Sequence, residues 1–341
     1  KYSTGATWLS PGLELNDLGY MRSADFINQE NDVSYLINKP VSIFHTYSLS
    51  LEQFNSWNFN GKYLGSGGHL SFSSEFKNNW SFSANLILHL KLVDTRLLRG
   101  GPDMVMPNSL FTFGDIKTDQ SKKIIADFAY QYENSGNNSA RSYKFGPGLS
   151  IRPMSALKIG VTASFADNHD NLQYVTMMNY RSEKRYILGS IDQKTLGLTF
   201  RIDVNISPEF SIQYYGSPFI SRGSYSEFKR VTDPQAKDYK DRFSVYSNTI
   251  LSGNNYGLDE NNDNVPDYSI GNPDFNFYQF RSNLVAKWEY RLGSFVYLVW
   301  SSDRTGNSSS GTTPMGDSFH QLWNAFSDNI FLIKLNYWFS L

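Results

Sequence analysis

The chain has 341 residues, and 31 Lys and Arg against 32 Asp and Glu give a formal net charge of −1. A near-neutral chain has no basic field, which argues against nucleic acid as a partner. It has no cysteine, which excludes disulfides and thiolate metal sites. The sequence contains no run of about 18 apolar residues, which is the length that would predict a transmembrane helix. Aromatic residues reach 16%, an excess typical of strands and of the aromatic girdles of membrane barrels.

Alternating apolar residues predict strands along almost the whole chain. In the first forty residues, apolar and polar side chains alternate only weakly. The stretch 80–92 alternates clearly and is long enough to cross a bilayer as a tilted strand. After three further strands between 126 and 165, a long loop leads to the clearest strand, 196–206. There, Leu198 and Phe200 lie on one face and Thr199 lies on the other.

The last strands follow the same pattern. The stretch 280–290 alternates, and the terminal stretch 329–341 has an unbroken apolar row that includes Phe331 and Leu341. Lys334 lies on the opposite face of this terminal strand. A strand of this kind suits a closed barrel with lipid outside and water inside.

Connections of two kinds alternate along the chain. Short turns fall near positions 39, 78, 120, 154, 208 and 292, and long polar loops, including 222–274, fall between them. This asymmetry is that of bacterial outer-membrane barrels, with short periplasmic turns and long extracellular loops. We therefore predict an all-β fold, an antiparallel transmembrane β-barrel of about 14 strands formed by residues 1–341. A count of about 14 to 16, or a place within a larger barrel, is left open.

Large soluble β-proteins such as propellers and solenoids also show alternating strands at regular spacing. Three features favour the membrane barrel over them. The strands are long, the faces predicted to point inward carry Arg, Lys, Asp and Asn, and short turns alternate with long loops.

Several segments that together span nearly the whole chain resemble a known family. They are 14–19, 95–102 with Arg99-Gly100-Gly101-Pro102, 171–175, 192–196, 221–229, 271–277, 280–290, 298–301 and 337–339. In these segments the chain resembles the C-terminal barrel of a largely uncharacterised outer-membrane family of Bacteroidetes-type bacteria. Members of that family carry an N-terminal carbohydrate-binding-like module of the family-nine type before a long barrel region. The resemblance implies that this sequence, which lacks the module and the early barrel region, is a processed C-terminal piece or part of a longer chain. It implies no mechanism.

One loop resembles the first part of a calcium-binding loop. Oxygen-bearing side chains lie at three alternate positions, Asp259, Asn261 and Asp263, and a fourth, Asp267, follows four positions later. Ca²⁺ takes six to eight hard oxygen ligands, and the carbonyl of Val265 could add one. The flanking helices and the bidentate Glu of an EF-hand are absent from the sequence. The alternative is an acidic, solvated loop rich in turns.

Charged residues on the polar sides of the strands are predicted to face the lumen. They are Lys91, Arg201, Asp203, Arg281, Lys287, Glu289 and Lys334. Mixed charges can line a water path, or they can pair across a closed lumen and hold a plug.

The sequence offers little for catalysis. Its five histidines form no HExxH motif, and no G-x-S-x-G occurs. His169 lies between Asp167 and Asp170 in a predicted outer loop, without a nucleophile motif to accompany it. An enzymatic barrel is therefore the least favoured function.

Two function classes remain. The first is a conduit or anchor that handles small polar or glycan-derived solutes at the cell surface. The second is a scaffold barrel, one subunit of a larger outer-membrane complex. Expected partners are membrane lipid, lipopolysaccharide, other subunits and a glycan, and the expected location is the bacterial outer membrane with the C-terminus in the periplasm. Aromatic residues expected in the long loops could bind sugar or a partner, or they could pack the loops: Tyr214, Tyr215, Phe219, Tyr225 and Phe228.

Overall fold

The structure, a computed structural model, describes residues 1–19, 21 and 23–339. Strands dominate because apolar and aromatic residues alternate with polar ones along most of the chain. The strands are β1 (Tyr2–Leu9), β2 (Phe26–Ile37), β3 (Phe44–Trp57), β4 (Tyr63–Phe76), β5 (Ser81–Leu90), β6 (Val93–Asp94), β7 (Met104–Val105), β8 (Ser109–Lys117), β9 (Ile124–Ser135), β10 (Ala140–Met154), β11 (Leu157–Tyr180), β12 (Glu183–Asn205), β13 (Phe210–Val231), β14 (Phe243–Val245), β15 (Thr249–Ser252), β16 (Asn255–Leu258), β17 (Tyr268–Gly271), β18 (Phe275–Arg291), β19 (Ser294–Ser308) and β20 (Asp328–Asn336). One α-helix, α1 (Met315–Asn324), and the 3₁₀ turns Asn16–Leu18, Gly136–Asn138 and Tyr239–Arg242 complete the elements.

One large antiparallel sheet contains most of these strands. The sheet has 15 strands. All except β14 are hydrogen-bonded side by side in the order β1, β2, β3, β4, β5, β8, β9, β10, β11, β12, β13, β18, β19 and β20. Strand β14 pairs with β13, while β15–β17 and β6–β7 form two small sheets. The predicted all-β, antiparallel fold is confirmed, and the strand path agrees with the predicted count of about 14.

The two ends of this path are open. Strands β1 and β20 are each paired on one side only, and no pairing joins them among the described residues. Among the described residues the sheet is therefore open, and its closure into a barrel stays a prediction. All nine residues of β20 are exposed. This strand is shorter than the predicted 329–341, because 337–339 leave the ladder and 340–341 lie outside the described residues.

The connections differ at the two ends of the sheet. At the short-turn end the links are 38–43, 77–80, 118–123, 155–156, 206–209 and 292–293, at the six predicted places. The long-loop end carries 91–108, 232–274 and 309–327, together with shorter links. None of the helices in the described part of the chain has the length and apolar character that a membrane-spanning helix needs.

Two regions predicted as loops are strands instead. The predicted loop before 196 is the outer part of the hairpin β11–β12, which turns at Arg181 and Ser182, both with positive φ. The first part of the predicted 222–274 loop belongs to β13. Simple alternation fails in these outer parts because other segments cover both of their faces.

The two faces of the large sheet differ in chemistry. Residues opposite one another in the ladder lie on the same face. By this rule Leu198, Phe200, Leu298 and Ile333 share an apolar face, and Thr199 lies on a polar face. The apolar face is exposed, and the exposed fractions of Phe331, Ile333 and Leu335 are 77%, 76% and 68%.

Most of the fully buried apolar side chains lie at the long-loop end. One cluster contains Ile187, Phe228, Tyr246, Leu258 and Ile270. A second cluster contains Leu98, Met104, Leu172 and Leu188. The segments 97–106, 172–188 and 225–270 contribute both clusters, and we call them together the rim cap.

Candidate functional site

The outer hairpin β11–β12 is the centre of the rim cap. Successive side chains of a strand point to opposite faces, so Ile187 and Leu188 enter different clusters. The sheet β15–β17 covers the Ile187 side, and the link between β5 and β8 covers the Leu188 side. The backbone N–H of Val105 in that link donates to the carbonyl of Pro234 at 2.9 Å. Segments distant in sequence thus hold the hairpin from both sides.

Glu260 joins the small sheet region to the hairpin. The Arg185 guanidinium donates from Nε to Glu260 Oε2 at 3.0 Å and from Nη2 to Oε1 at 3.1 Å. Arg230 also pairs with Oε1, and Tyr268 donates to Oε2 at 2.6 Å. A forked Arg–carboxylate pair fixes geometry as well as adding energy. Both side chains of the Arg185–Glu260 pair are mostly shielded from water.

A β-bulge shapes the strand next to the hairpin. Leu188 pairs with Lys229 but Ser190 pairs with Ser226, so Gly189 faces two residues of β13. One of them, Glu227, has a φ of +46°, which is uncommon for a residue with a side chain. Bulges re-aim side chains and are frequent next to functional sites. This one brings Glu227 and Lys229 to the same polar cluster.

Lys229 is the centre of that cluster. The residue is 3% exposed, and its ammonium donates to the carbonyl of Asn171 at 2.8 Å and to Ser190 Oγ at 3.2 Å. Ser190 Oγ in turn donates to Glu227 Oε2 at 3.1 Å. Burial lowers the pKa of Lys229, although the charges of Glu227 and Asp170 oppose the shift. Burial also raises the pKa of Asp170, against a hydrogen bond from the Leu172 N–H and the charges of His169 and Lys229.

A pocket of about 600 Å³ opens beside Lys229, within the usual range for small-molecule sites. Burial, followed by the charge of Asp170, raises the pKa of Tyr239 to about 12, so its phenol stays protonated and can donate. The side chains around the pocket combine amides, one carboxylate, one phenol and two ammonium groups with an apolar wall. They belong to Asn137, Asn138, Asn171, Glu227, Lys229, Tyr239, Lys240, Phe243 and Val245.

Six of the seven charged residues predicted to face the lumen lie on the polar face of the sheet. Ladder pairing places Arg201, Asp203, Arg281, Lys287, Glu289 and Lys334 together there. Arg281 pairs with Asp303 at 3.1 Å, and the Lys287 ammonium lies 4.4 Å from the centre of the Phe295 ring. The seventh, Lys91, follows the end of β5 with a positive φ, so strand alternation does not apply to it.

The oxygen atoms of the calcium-like loop bind its own backbone. Asp259 accepts from the N–H groups of Asn262 and Asn264 at 2.7 and 2.8 Å. Asn261 accepts from the Asp263 N–H at 2.9 Å. Asp267 accepts from the N–H of Glu260 and from the Tyr180 phenol. Among residues 1–19, 21 and 23–339, no three His, Cys, Asp or Glu side chains group as metal ligands would. The calcium site stays a prediction, and these bonds are those of the turn-rich alternative.

The remaining candidates separate into different environments. The His169 ring pairs with Asp192 at 2.7 Å, and no hydroxyl group in the described part of the chain bonds to that ring. Tyr214, Tyr215 and Phe219 lie in strand β13 rather than in a loop, and Phe228 is buried in the first cluster. Phe228 therefore packs the rim cap and is not available to a ligand.

The pocket itself escapes sequence analysis. Ser190, Glu227 and Lys229 belong to two strands that meet through an irregular ladder, and no short motif connects them. No local signal marks the bulge in the sequence, because Glu227, Phe228 and Lys229 alternate polar, apolar and polar as in a regular strand.

The fold and the pocket define an all-β chain in which one large antiparallel sheet carries a folded cap at one end. The chain belongs to the family described as Domain of unknown function (DUF5916), whose sequence model matches residues 1–340. This match agrees with the resemblance to a largely uncharacterised family. No curated protein and no solved structure matches the chain.

Proposed function

We propose that the chain forms the wall of a bacterial outer-membrane β-barrel and serves as a conduit for small polar or glycan-derived solutes. The observation that carries the proposal is the separation of the two sheet faces. One face exposes Phe331, Ile333 and Leu335, and the other gathers Arg201, Arg281 and further charges. In water an exposed apolar face of this extent would drive association. Against lipid it is the stable arrangement, with polar side chains around the water path.

Aromatic side chains near both limits of the apolar face support this proposal. At the short-turn end, Trp288 packs against Tyr290, and Arg291 donates to the Tyr337 phenol at 2.6 Å. At the long-loop end, Trp323 of α1 packs on Phe280. Trp288 and Phe280 lie on β18 about 27 Å apart along the strand. With a tilt of about 40° this is roughly 20 Å of membrane depth, comparable with the apolar band of such barrels.

In this arrangement the short-turn end and the C-terminus lie in the periplasm, and the rim cap lies outside the cell. Membrane lipid and lipopolysaccharide contact the apolar face. The pocket beside Lys229 then opens near the outer entrance of the conduit.

The open edges favour a second candidate, a scaffold subunit in a larger outer-membrane complex. Unpaired strand edges are not tolerated in lipid, because each free N–H and C=O group costs several kcal/mol there. Strands β1 and β20 each have one such edge in the described part of the chain. A strand of a partner subunit could pair with either edge.

Planar bilayer recording separates the two candidates. A conduit gives a steady current, and Arg201→Glu shifts its preference from anions toward cations because Arg201 lies on the polar face. Phe200→Leu, one position away on the apolar face, is the control and leaves ion preference unchanged. No current, together with a partner that co-purifies in fixed ratio, supports the scaffold and contradicts the conduit.

A further inference from the structure

We propose that the pocket beside Lys229 binds a neutral, hydroxyl-rich ligand of saccharide size. This inference rests on the proposed function, because it assigns a solute class to the outer entrance of the conduit. Its lining residues come from the turn between β9 and β10, from β11, β13 and β14, and from the 3₁₀ turn before β14.

Backbone conformations with positive φ gather around this pocket. Asn137 and Asn138, in the turn between β9 and β10, have φ values of +59° and +52°, and Glu227 has +46°. Asn adopts this backbone region readily in turns, so Asn137 and Asn138 cost little. For Glu227 it costs about 1–3 kcal/mol and persists because the surrounding structure holds it, commonly at binding sites. The strained Glu227 therefore supports a binding site at this pocket.

Several polar groups of the pocket are left for a ligand. In the described part of the chain, no protein group bonds to the Tyr239 phenol, the Asn137 amide or Glu227 Oε1. Amide and phenol groups both donate and accept, as sugar hydroxyls do, and the carboxylate accepts. These groups therefore match a ligand that offers alternating donors and acceptors. Phe243 adds an apolar wall for the carbon–hydrogen side of such a ligand.

Charge in the pocket favours a neutral ligand. The buried Lys229 ammonium is linked through Ser190 to the Glu227 carboxylate, which lies at the exposed side of the pocket and offsets the charge of the lysine. Two of the three N–H donors of Lys229 are also already hydrogen-bonded, to Ser190 and to Asn171. The only other charged lining residue, Lys240, lies exposed on the rim. An anion would find no uncompensated buried cation.

Titration calorimetry on the folded, detergent-solubilised chain tests the proposal. The probes are glucose, galactose, N-acetylglucosamine and maltose, with inorganic phosphate as the anionic comparison. At least one sugar should bind in a salt-independent manner. Tyr239→Phe should weaken its binding about five- to tenfold, the usual effect of one lost hydrogen bond. Asn137→Gly removes the amide while retaining a residue suited to the left-handed backbone, and should act similarly. Tyr278→Phe, a distant phenol on β18, is the matched control and should leave binding unchanged.

Three results would overturn the proposal: no sugar binds, the sugar binds equally to both pocket variants, or only phosphate binds and high salt abolishes it. Circular dichroism of each variant confirms folding before titration. The outcome is separable from that of the proposed function. Sugar binding without bilayer current keeps the site and rejects the conduit, whereas current without sugar binding does the reverse.

Discussion

Arg185 and Glu260 are 75 positions apart in sequence and form a forked ion pair, with N–O distances of 3.0 and 3.1 Å. This pair fastens the loop before β17 to the hairpin β11–β12. Arg230 and Tyr268 bind the same carboxylate, so a single side chain connects the strands β12, β13 and β17 within the rim cap. We therefore expect this one carboxylate to anchor the cap together with the two apolar clusters.

Replacing that carboxylate should loosen the cap without unfolding the sheet. Glu260→Gln leaves the Arg230 guanidinium without its anion and leaves Arg185 with only the exposed Glu183, which costs about 3 kcal/mol. We expect fast hydrogen exchange and early proteolysis in 225–270, with the amides of β18 and β19 still protected. The control is Glu183→Gln, which removes an exposed partner of Arg185 and should cost less than about 1 kcal/mol. Equal effects of the two changes would refute the anchoring role.

The same group predicts how the cap responds to acid. Burial raises the pKa of Glu260. The hydrogen bonds from Arg185 and Tyr268 and the charge of Arg230 together lower it by more, so the net shift is downward. A depressed folded-state pKa means stability that is present above the unfolded value of about 4.3 and is lost as the pH falls through the folded value. Cap protection should stay constant from about pH 7 to 5 and decline below about 4.5. In the Glu260→Gln chain, this acid-dependent decline should be much smaller, and an unchanged decline would assign it to other groups.

Placement of the apolar face in lipid predicts opposite effects at adjacent positions. Phe200→Arg puts a charge on that face and should cost about 2–4 kcal/mol if the position lies near the bilayer midplane. Leu198→Arg should behave alike. Thr199→Arg is the matched control on the polar face and should cost less than about 1 kcal/mol. Urea titration of the chain refolded in lipid vesicles measures these differences, and equal tolerance at all three positions would rule out a lipid-facing side.

Removal of residues 337–341 should impair assembly. The described part of this segment ties the short-turn end together, because Arg291 donates to Tyr337 and the Trp338 N–H donates to Ser294 Oγ. Without it β20 loses its anchoring at that end, and its edge frays. We expect misassembled, protease-sensitive chain on a heat-modifiability gel. Wild-type amounts of the folded form after the deletion would contradict the role of the segment.

Metal removal tests the predicted calcium site. With the hydrogen bonds that the structure shows, Asp259→Ala should free the N–H groups of Asn262 and Asn264 and cost about 1–2 kcal/mol with or without EDTA. A calcium site predicts a different pattern. Millimolar Ca²⁺ would then protect 222–274 from proteolysis better than Mg²⁺ does, and Asp263→Ala would abolish the protection. An identical cleavage pattern in Ca²⁺, EDTA and the Asp263→Ala chain would reject the metal.

Alternation carried the sequence prediction wherever one strand face is apolar and the other polar. The stretch 196–206 and the six short turns were predictable for that reason. The outer parts of β11 and β12 were not, because Ile187 and Leu188 are both buried and adjacent apolar residues erase the two-residue period. Closure of the sheet into a barrel could not be predicted from alternation either. Alternation determines the two faces of each strand, but not what pairs with the free edges of β1 and β20.

The candidate site was less accessible still. The charged residues of the polar face follow from strand parity, and six of the seven share that face, while their position in a lumen stays a prediction. Lys229 depends instead on a bulge at Glu227 that shifts one strand against its neighbour. Its partners Ser190 and Asn171 come from two other strands. Only the ladder of the folded sheet brings these groups together.

The shared packing of Leu98 with Leu188 also determines when the chain reaches its final shape. Hairpins such as β18–β19 join residues close in sequence and form early, whereas this core must close a long loop over several strands already in place. We therefore expect the cap to form last in folding, with Lys229 hydrated until it does. A lysine-reactive label added early in refolding should modify Lys229, and the same label added later should not. The extent of labelling at Lys229 then reports how much of the chain has completed its cap.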